Sequence, residues 1–359
     1  MSGHSKLAPS SASRRMACPG SRAMEERHGR DDKSEASEEG DLAHKLAAMY
    51  LKGPVDVTLQ GYTDEMHAGA TLYASAVSCF LPFDSQHVEE RVDISSVHPE
   101  CWGTPDVWGV VDEGDHVSVH IFDYKFGFTP VEAFENWQLL TYACGVVAPF
   151  QVSTVYLHIV QPRDYVSPSR HKIWAITASE LDANRQRLTT SSALAMSPQP
   201  ELKVSDQCKY CKARHACPAL RSAAFGAAEL SFRDAPQGLE PRQVGSELKL
   251  LHEARDLLDY RITALEAEAT HFLQAGVAVD HYQLLPGEGR LNWAFSAKEV
   301  LKVGLLLGVD LQKEAVLTPQ QAIKAGLPED VVLKYSDRKQ SLKLSKVDLN
   351  KAKEIFKKH

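Results

Sequence analysis

Three residues with side chains suited to phosphate chemistry, Asp106, Asp123 and Lys125, lie on either side of a short acidic turn. Two carboxylates held close together repel each other, and a divalent cation such as Mg²⁺ or Mn²⁺ relieves that repulsion by taking their oxygens as ligands. Such a metal polarises a phosphate and lowers the pKa of a bound water, while a neighbouring ammonium stabilises the negative charge that develops. These residue types therefore predict hydrolysis of a phosphodiester bond.

The spacing of these residues predicts a β-hairpin. Two apolar runs flank the acidic turn at residues 112–115, an order that is typical of a hairpin. Antiparallel pairing about this turn brings Asp106 opposite residues 121–123, and the two-residue period of a strand puts Asp123 and Lys125 on one face. The same spacing would result if Asp106 only capped a turn, Asp123 only ended a strand and Lys125 were a solvated surface residue. The pattern by itself therefore leaves open whether these residues form a metal site or have only structural roles.

The segments around the hairpin predict a mixed α/β fold. Apolar residues at helical spacing indicate helices, while alternating or continuous short apolar runs indicate strands. In chain order we predict a helix over residues 37–51, a helix over 63–80, a strand over 87–94, the hairpin, a helix over 131–145, strands over 153–161 and 171–176, and a helix over 179–191.

Composition and charge restrict the class of protein. The chain has 359 residues, 43% hydrophobic and 24% charged, which is enough to bury a large core in one domain or two. A formal net charge of −7 gives no global attraction to nucleic acid, so any DNA contact must come from local patches. No apolar run approaches the roughly 20 residues of a membrane span, and residues 1–19 lack the apolar core of a signal peptide. We therefore expect a cytoplasmic protein with no membrane contact.

The acidic pair and the lysine also carry a resemblance to a known family. Pro105-Asp106 followed by Asp123-x-Lys125 resembles the two signatures of the PD-(D/E)XK nuclease superfamily. The resemblance implies a restriction-endonuclease-like core, in which helices flank a mixed central sheet, and a magnesium-dependent hydrolase activity on DNA.

Two helices add elements that are similar to the RecB-like subgroup of that superfamily. Gln138 and Tyr142 lie one helical turn apart and match a Gln-x-x-x-Tyr pattern that contacts DNA and orders the active site in the subgroup. His44, shortly after Gly40, matches an upstream histidine near the metal. The resemblance implies catalytic roles for Asp106, Asp123, Lys125, Gln138 and Tyr142. It implies that the metal ligands are His44, Asp106, Asp123 and the backbone carbonyl of Tyr124.

Two further residues are candidates for accessory roles. Glu89 lies just upstream of the first signature and is a candidate accessory acid, although a solvated strand face explains it equally well. Arg163 follows Gln161-Pro162 and is a candidate phosphate contact close to the core.

The cysteines predict a metal site. Seven cysteines, an odd number without a secretory signal, indicate thiols or metal ligands instead of disulfides. Cys208-x₂-Cys211-x₅-Cys217 has the spacing of a ligand set, and His215 would complete a Zn²⁺ site. RecB-like nucleases with an iron–sulfur staple take one cysteine from before the core and three from after it, so the resemblance implies that Cys18 completes a [4Fe–4S] cluster.

Three regions follow from these observations. Residues 1–13 are small and polar and are expected to be a flexible N-terminus. Residues 14–225 are expected to form the RecB-like core with its cysteine staple. Residues 240–359 have a mainly helical pattern and carry no motif that assigns them a role.

The resemblance extends to a phage or prophage family of stapled exonucleases, which implies work in DNA recombination, repair or replication beside phage recombination or replication proteins. Two alternatives stay open: a non-catalytic DNA-binding or scaffold protein with the same fold, and a zinc-stabilised interaction protein. Cleavage polarity, strand preference, endonuclease against exonuclease action and oligomeric state depend on the shape of the DNA channel, which short motifs do not encode.

Overall fold

The structure is a computed structural model that describes residues 5–30, 35–56, 61–230, 240–295, 297–311 and 317–346. The chain forms two compact units, Met1–Arg261 and Ile262–His359. Within the described residues, none of the helices combines the length and the apolar character that crossing a bilayer requires.

The first unit contains both helices and strands. In chain order they are α1 (Ala12–Ala17), α2 (Ser21–His28), α3 (Glu35–Lys52), α4 (Asp64–Ser78), β1 (His87–Val88), β2 (Val92–Asp93), β3 (Trp102–Gly103), β4 (Val107–Asp112), β5 (Val117–Tyr124), α5 (Trp137–Val146), β6 (Thr154–Val160), β7 (His171–Thr177), α6 (Ala178–Ala195), α7 (Pro218–Leu230) and α8 (Pro241–Gln274), whose last residues belong to the second unit.

The central sheet of the first unit has five strands in the order β1-β4-β5-β6-β7. The β5–β6 pair is parallel and the other pairs are antiparallel, so the sheet is mixed. Helix α5 makes the crossover between the two parallel strands, as a parallel pair requires. The predicted α/β fold class, a mixed central sheet flanked by helices, is confirmed.

The hairpin that carries the acidic pair is formed as predicted. Strands β4 and β5 pair in a register that starts with Val107 opposite Phe122 and ends with Asp112 opposite Val117. Gly114 has a φ of 84° in the turn, where a residue without a Cβ is favoured, and its N–H donates to the carboxylate of Asp112 at 2.9 Å.

Each face of the sheet is covered by an apolar layer. Side chains of β5 alternate between them: Val119 and Ile121 join the layer that includes α5 and α6, whereas Phe122 and Tyr124 join the layer that includes α3 and α4. Burying a side chain of this size stabilises the fold by roughly 1.5–3 kcal/mol. The two layers therefore fix β5 from both sides, and with it the residues at its end.

Two predicted elements differ from the observed ones. The strand predicted over 87–94 is two short strands, because Glu89 between them has a φ of 54°, which an extended ladder does not accommodate. The helix predicted from residue 131 begins at Trp137, because the side chain of Asn136 caps it by accepting from Gln138 N and Leu139 N.

The expectation of a flexible N-terminus is wrong for residues 5–13. A 3₁₀ turn (Pro9–Ser11) leads into α1 there, and the side chains of Leu7 and Ala12 are completely buried in the main core. Two apolar residues are enough to hold this short segment although the residues around them are polar. Residues 1–4 lie outside the described part of the chain.

The second unit has a small core of its own. It contains β8 (Tyr282–Trp293), α9 (Ala297–Leu306), α10 (Pro319–Lys324), α11 (Glu329–Tyr335) and β9 (Ser336–Lys346). Among the described residues, the buried side chains of this core include Val300, Leu311, Ala322, Leu327 and Val332. The helices agree with the expected helical C-terminal region, and the antiparallel β8–β9 pair adds a two-stranded sheet that the sequence pattern did not predict.

Candidate active site

The carboxylate of Asp106 lies where the hairpin meets α3. Its Oδ2 accepts a hydrogen bond from the backbone N–H of Tyr124 at 2.6 Å, and its Oδ1 lies 3.2 Å from Nδ1 of His44. His44 is on α3, which the buried side chains of Leu46 and Ala47 hold against the sheet. The hairpin register and this packing therefore bring the two predicted residues together.

Asp123 is buried at the end of β5 and is bound by two side chains. Lys125 Nζ lies 2.8 Å from its Oδ2, and Gln138 Nε2 donates to its Oδ1 at 2.9 Å. Lys125 Nζ also donates to Gln138 Oε1 at 3.3 Å. The three side chains form one closed network, so α5 positions the lysine as well as the carboxylate.

The charges in this network perturb each other. Burial raises the pKa of the Asp123 carboxyl; the ammonium of Lys125 opposes that shift and Asp106 adds to it. Burial disfavours the charged form of Lys125, but the attraction of Asp123, assisted by Asp106, outweighs it and raises the pKa of the ammonium. Lys125 is therefore held as a cation beside two acids.

Glu89 joins the acidic site from the break between β1 and β2. Its backbone N–H donates to the carbonyl oxygen of Asp106 at 3.0 Å. Burial and the nearby Asp106 raise the pKa of its carboxyl to about 6. One ligand atom each from His44, Glu89 and Asp106 lies within 4.8 Å of the other two, which makes these residues a candidate cation site.

Tyr142, the other α5 residue predicted from the sequence, supports the segment before Asp106. Its hydroxyl donates to the carbonyl oxygen of Thr104 at 3.0 Å. The close approach of its ring also leaves room for only a glycine at position 103, since a Cβ there would lie 2.9 Å from the ring of Tyr142. The tyrosine thus holds the Gly103–Asp106 segment in place.

Tyr73 on α4 lies at the site and was not predicted from the sequence. Its ring is fully buried against Tyr124, with ring centroids 4.8 Å apart. It lines the same small cavity as His44, Glu89 and Asp106, and within the described residues its hydroxyl has no hydrogen-bond partner. Its helical spacing indicated only a core residue, and no signal in the sequence distinguished the hydroxyl.

The four cysteines expected to form a staple line one cavity. Cys18 comes from the N-terminal segment, and Cys208, Cys211 and Cys217 come from the segment before α7. Backbone N–H groups of Lys203 and Ser205 donate to Cys18 Sγ at 3.3 Å and to Cys208 Sγ at 3.4 Å. Burial raises the pKa of three of the thiols, to about 12 for Cys211.

A family model described as "Protein of unknown function (DUF2800)" matches residues 4–325. The chain belongs to the DUF2800 family. The matched residues lie in both compact units, and they include the hairpin site, the four cysteines and most of the C-terminal region of this chain. The description of the DUF2800 family assigns no activity.

In this DUF2800 protein, Arg163 is held in ion pairs with Glu39 and Glu65, which the sequence did not predict. Its buried guanidinium makes two 2.7 Å hydrogen bonds to Glu39 and one to Glu65. It also lies 3.8 Å over the ring of Phe126. Two carboxylates bind this cation, and Arg163 thereby ties the loop after β6 to α3 and α4. A phosphate contact by Arg163 stays a prediction.

Proposed function

We propose that this protein is a metal-dependent DNA nuclease that hydrolyses phosphodiester bonds. The observation that carries the proposal is the meeting of two groups at the end of the hairpin. One is the set of potential cation ligands His44, Glu89 and Asp106. The other is the buried pair of Asp123 with the cationic Lys125. Acidic oxygens for a divalent cation beside a fixed ammonium are what phosphate hydrolysis requires.

The donor set fits Mg²⁺ or Mn²⁺. Both cations prefer carboxylate and carbonyl oxygens, and imidazole is acceptable to Mn²⁺. Asp106 lies between the two groups, because its carboxylate faces His44 while the N–H of Tyr124 fixes it to β5. We propose that His44, Asp106, Asp123 and the backbone carbonyl of Tyr124 hold the metal, with Glu89 as a further ligand. A bound metal would supply a polarised phosphate and an activated water.

The protein's own residues would also act on the phosphate. Lys125 is charged, and Asp123 and Gln138 fix its direction, so its ammonium need not reorganise as negative charge develops on the phosphate oxygens. Gln138 has a positioning role, because it bonds both members of the ion pair. Tyr142 acts one step further away by holding the backbone that leads to Asp106.

We also propose that this nuclease is a RecB-like enzyme of the PD-(D/E)XK superfamily, with exonuclease action in phage recombination, repair or replication as the favoured role. This assignment is supported by the order of the site residues in the chain: His44, Asp106, Asp123-x-Lys125 and Gln138-x₃-Tyr142. The mixed sheet with its hairpin at one side is compatible with that assignment.

We further propose that Cys18, Cys208, Cys211 and Cys217 hold a [4Fe–4S] cluster. The four cysteines line one cavity, and four thiolates are the ligand set of such a cluster. A Zn²⁺ site is the alternative. The N–H donors to Cys18 and Cys208 are of the kind that tune such clusters.

The test is degradation of labelled single- and double-stranded DNA by the purified protein in Mg²⁺, Mn²⁺ or EDTA. We expect cleavage in either metal and none in EDTA. Asp123→Asn and Lys125→Met should each slow it by at least about a hundredfold. Lys45→Met is the matched control, because Lys45 is exposed on the same helix as His44.

Two results would contradict the proposal: no cleavage of either DNA in any metal, or undiminished cleavage by Asp123→Asn and Lys125→Met. DNA binding without cleavage would favour the non-catalytic scaffold in its place.

A further inference from the structure

Exposed aromatic side chains stand on the loops beside the candidate active site. Strands β5 and β6 are parallel, so residues 125–136 and 161–170, which follow them, leave the sheet at the same edge. Phe128 is 61% exposed on the first loop and Tyr165 is 54% exposed on the second. Phe128 follows Lys125 by three residues, which limits the distance between their Cα atoms to about 11 Å.

The loop that carries Phe128 is held by one buried side chain. Gln161 donates from Nε2 to the carbonyl oxygens of Gly127 at 2.7 Å and Thr129 at 2.8 Å, and its Oε1 accepts from Val131 N at 2.9 Å. These bonds lie on both sides of Phe128. The backbone on which the exposed ring stands is therefore fixed.

The ring of Phe128 also has a rigid support. The guanidinium of Arg163 lies 4.7 Å from its centroid, and Glu39 and Glu65 hold that guanidinium in place. The hydroxyl of Tyr165 lies 3.5 Å from the other oxygen of Glu65. Phe128 and Tyr165 thus both contact one ion-paired network, and we call these two rings the aromatic platform.

An exposed aromatic ring that is fixed in advance loses little conformational entropy when a flat apolar partner covers it. Nucleobases are such partners, and stacking on a protein ring does not depend on their sequence because every base has a π-face. In a duplex both faces of an internal base are already stacked on its neighbours, so away from the duplex ends only an unpaired base can offer a free π-face.

We propose that the aromatic platform stacks unpaired bases of the DNA strand whose phosphate reaches Asp106, Asp123 and Lys125. The substrate is then a single strand or an unpaired end. This inference rests on the proposed nuclease function. We infer that a nucleobase covers the ring because Phe128 follows Lys125, the proposed phosphate-binding residue, by only three positions. Phe128 is the principal contact and Tyr165 extends it.

The test is binding of a fluorescent single strand of about 12 nucleotides, and of a blunt duplex of equal length, to the full chain in EDTA, where no hydrolysis occurs. The wild type should bind the single strand more tightly. Phe128→Ala should weaken that binding at least about fivefold, the lower end for loss of one base–aromatic stack, and Phe128→Trp should retain it. Phe83→Ala is the matched control, because Phe83 is 66% exposed but lies in a different turn.

A strand with one abasic position locates the contact. For the wild type, one placement of the abasic position should weaken binding about as much as Phe128→Ala does. For Phe128→Ala that placement should have no further effect, because the stack is already lost. Equal affinity of Phe128→Ala and wild type, equal losses from Phe128→Ala and Phe83→Ala, or abasic effects that are the same in both proteins would overturn the proposal.

The outcomes separate this proposal from the nuclease proposal. If the wild type cleaves DNA in Mg²⁺ but the Phe128→Ala variant binds single strands normally, the platform proposal is rejected and the nuclease proposal is retained. If single-strand binding depends on Phe128 but the protein cleaves no DNA in Mg²⁺ or Mn²⁺, the platform proposal is retained and the nuclease proposal is rejected.

Discussion

The backbone N–H of Tyr124 donates a 2.6 Å hydrogen bond to the carboxylate of Asp106. This bond joins the two arms of the hairpin next to the last paired residues, Val107 and Phe122. It fixes the direction of Asp106 through the backbone of β5, whatever side chain stands at position 124. Asp106 and Asp123 therefore share one rigid frame, and a change to either carboxylate leaves the position of the other largely intact.

Removing Lys125 from its ion pair with Asp123 should lower the free energy of unfolding, because a buried charge is left without a partner. Lys125→Met leaves the carboxylate of Asp123, which is 3% exposed, without its ammonium. Breaking a buried pair in this way costs about 3–5 kcal/mol, and the lower end applies because 27% of the Lys125 side chain is exposed. Urea unfolding measures the loss of free energy.

The double variant Asp123→Asn/Lys125→Met is the control for that interpretation, because it removes the charge that the single variant leaves unpaired. We expect the double variant to be more stable than Lys125→Met and equally inactive. A double variant as unstable as the single one would mean that packing of the lysine stem, and not the unpaired charge, causes the loss.

Glu89→Gln should change metal affinity and folding stability in opposite directions. Without metal, the substitution removes repulsion between Glu89 and Asp106, the repulsion that contributes to raising the pKa of Glu89 to about 6, so the melting temperature should stay the same or rise. With Mn²⁺, replacing an anionic carboxylate ligand by a neutral amide should weaken binding about tenfold or more, as measured by calorimetry. Unchanged Mn²⁺ affinity would remove Glu89 from the ligand set.

The hairpin was predictable because its signals are local: an acidic turn with a glycine and two alternating apolar runs determine the pairing of Asp106 with the end of β5. Glu89 was a candidate only from its position before the first signature, and Tyr73 was not predicted as a site residue. Glu89 reaches the site through a left-handed φ that interrupts a strand, and Tyr73 reaches it through the packing of α4 on the sheet. Both depend on long-range contacts that leave no mark on residue spacing.

Cys211→Ser should remove any bound metal and loosen the first unit. The four cysteines bring thiols from the N-terminal segment and from the segment before α7 to one cavity. A metal group that they share would hold these segments together in the folded chain and add its binding free energy to the stability. We expect iron in the purified wild type, visible absorbance that the variant lacks, and a melting temperature lower by several degrees.

Cys79→Ser is the matched control for the cysteine site, since Cys79 is exposed at the end of α4 and does not line the cavity. It should keep the metal and the melting temperature. Zinc in place of iron in the wild type would reject the [4Fe–4S] assignment while keeping the staple.

Three histidines on adjacent strands should make the fold sensitive to acid. His120 Nδ1 lies 3.1 Å from His158 Nε2, and His158 Nδ1 lies 2.9 Å from His171 Nε2. Burial lowers the pKa of His120 to about 4 and that of His158 to about 2. The unfolded chain, in which each histidine has a pKa near 6.5, therefore takes up protons first as the pH falls.

Stability should consequently be constant above about pH 6.5 and decrease between pH 6.5 and 4, by roughly 2 kcal/mol at pH 5 for each of these two histidines. Unfolding by urea across this range measures it, and the imidazole resonances of His120 and His158 should stay those of the neutral rings at pH 5. His116→Gln, at an exposed turn position, should leave the slope unchanged. A stability that is flat from pH 7 to 5 would contradict the prediction.

Gln161→Leu should destabilise the loop on which Phe128 stands. The amide of Gln161 is 1% exposed and makes three hydrogen bonds, and leucine leaves two carbonyl oxygens and one N–H without that partner. Each such group costs about 1–3 kcal/mol when it stays buried. Because the loop can instead open to water, we expect a modest loss of global stability and faster amide exchange at Val131.

Phe128→Ala should leave that exchange unchanged. The two variants therefore distinguish the effect of moving the Phe128 ring, in Gln161→Leu, from the effect of removing it. If single-strand binding weakens equally in both variants, the fixed backbone, and not the ring alone, determines the contact.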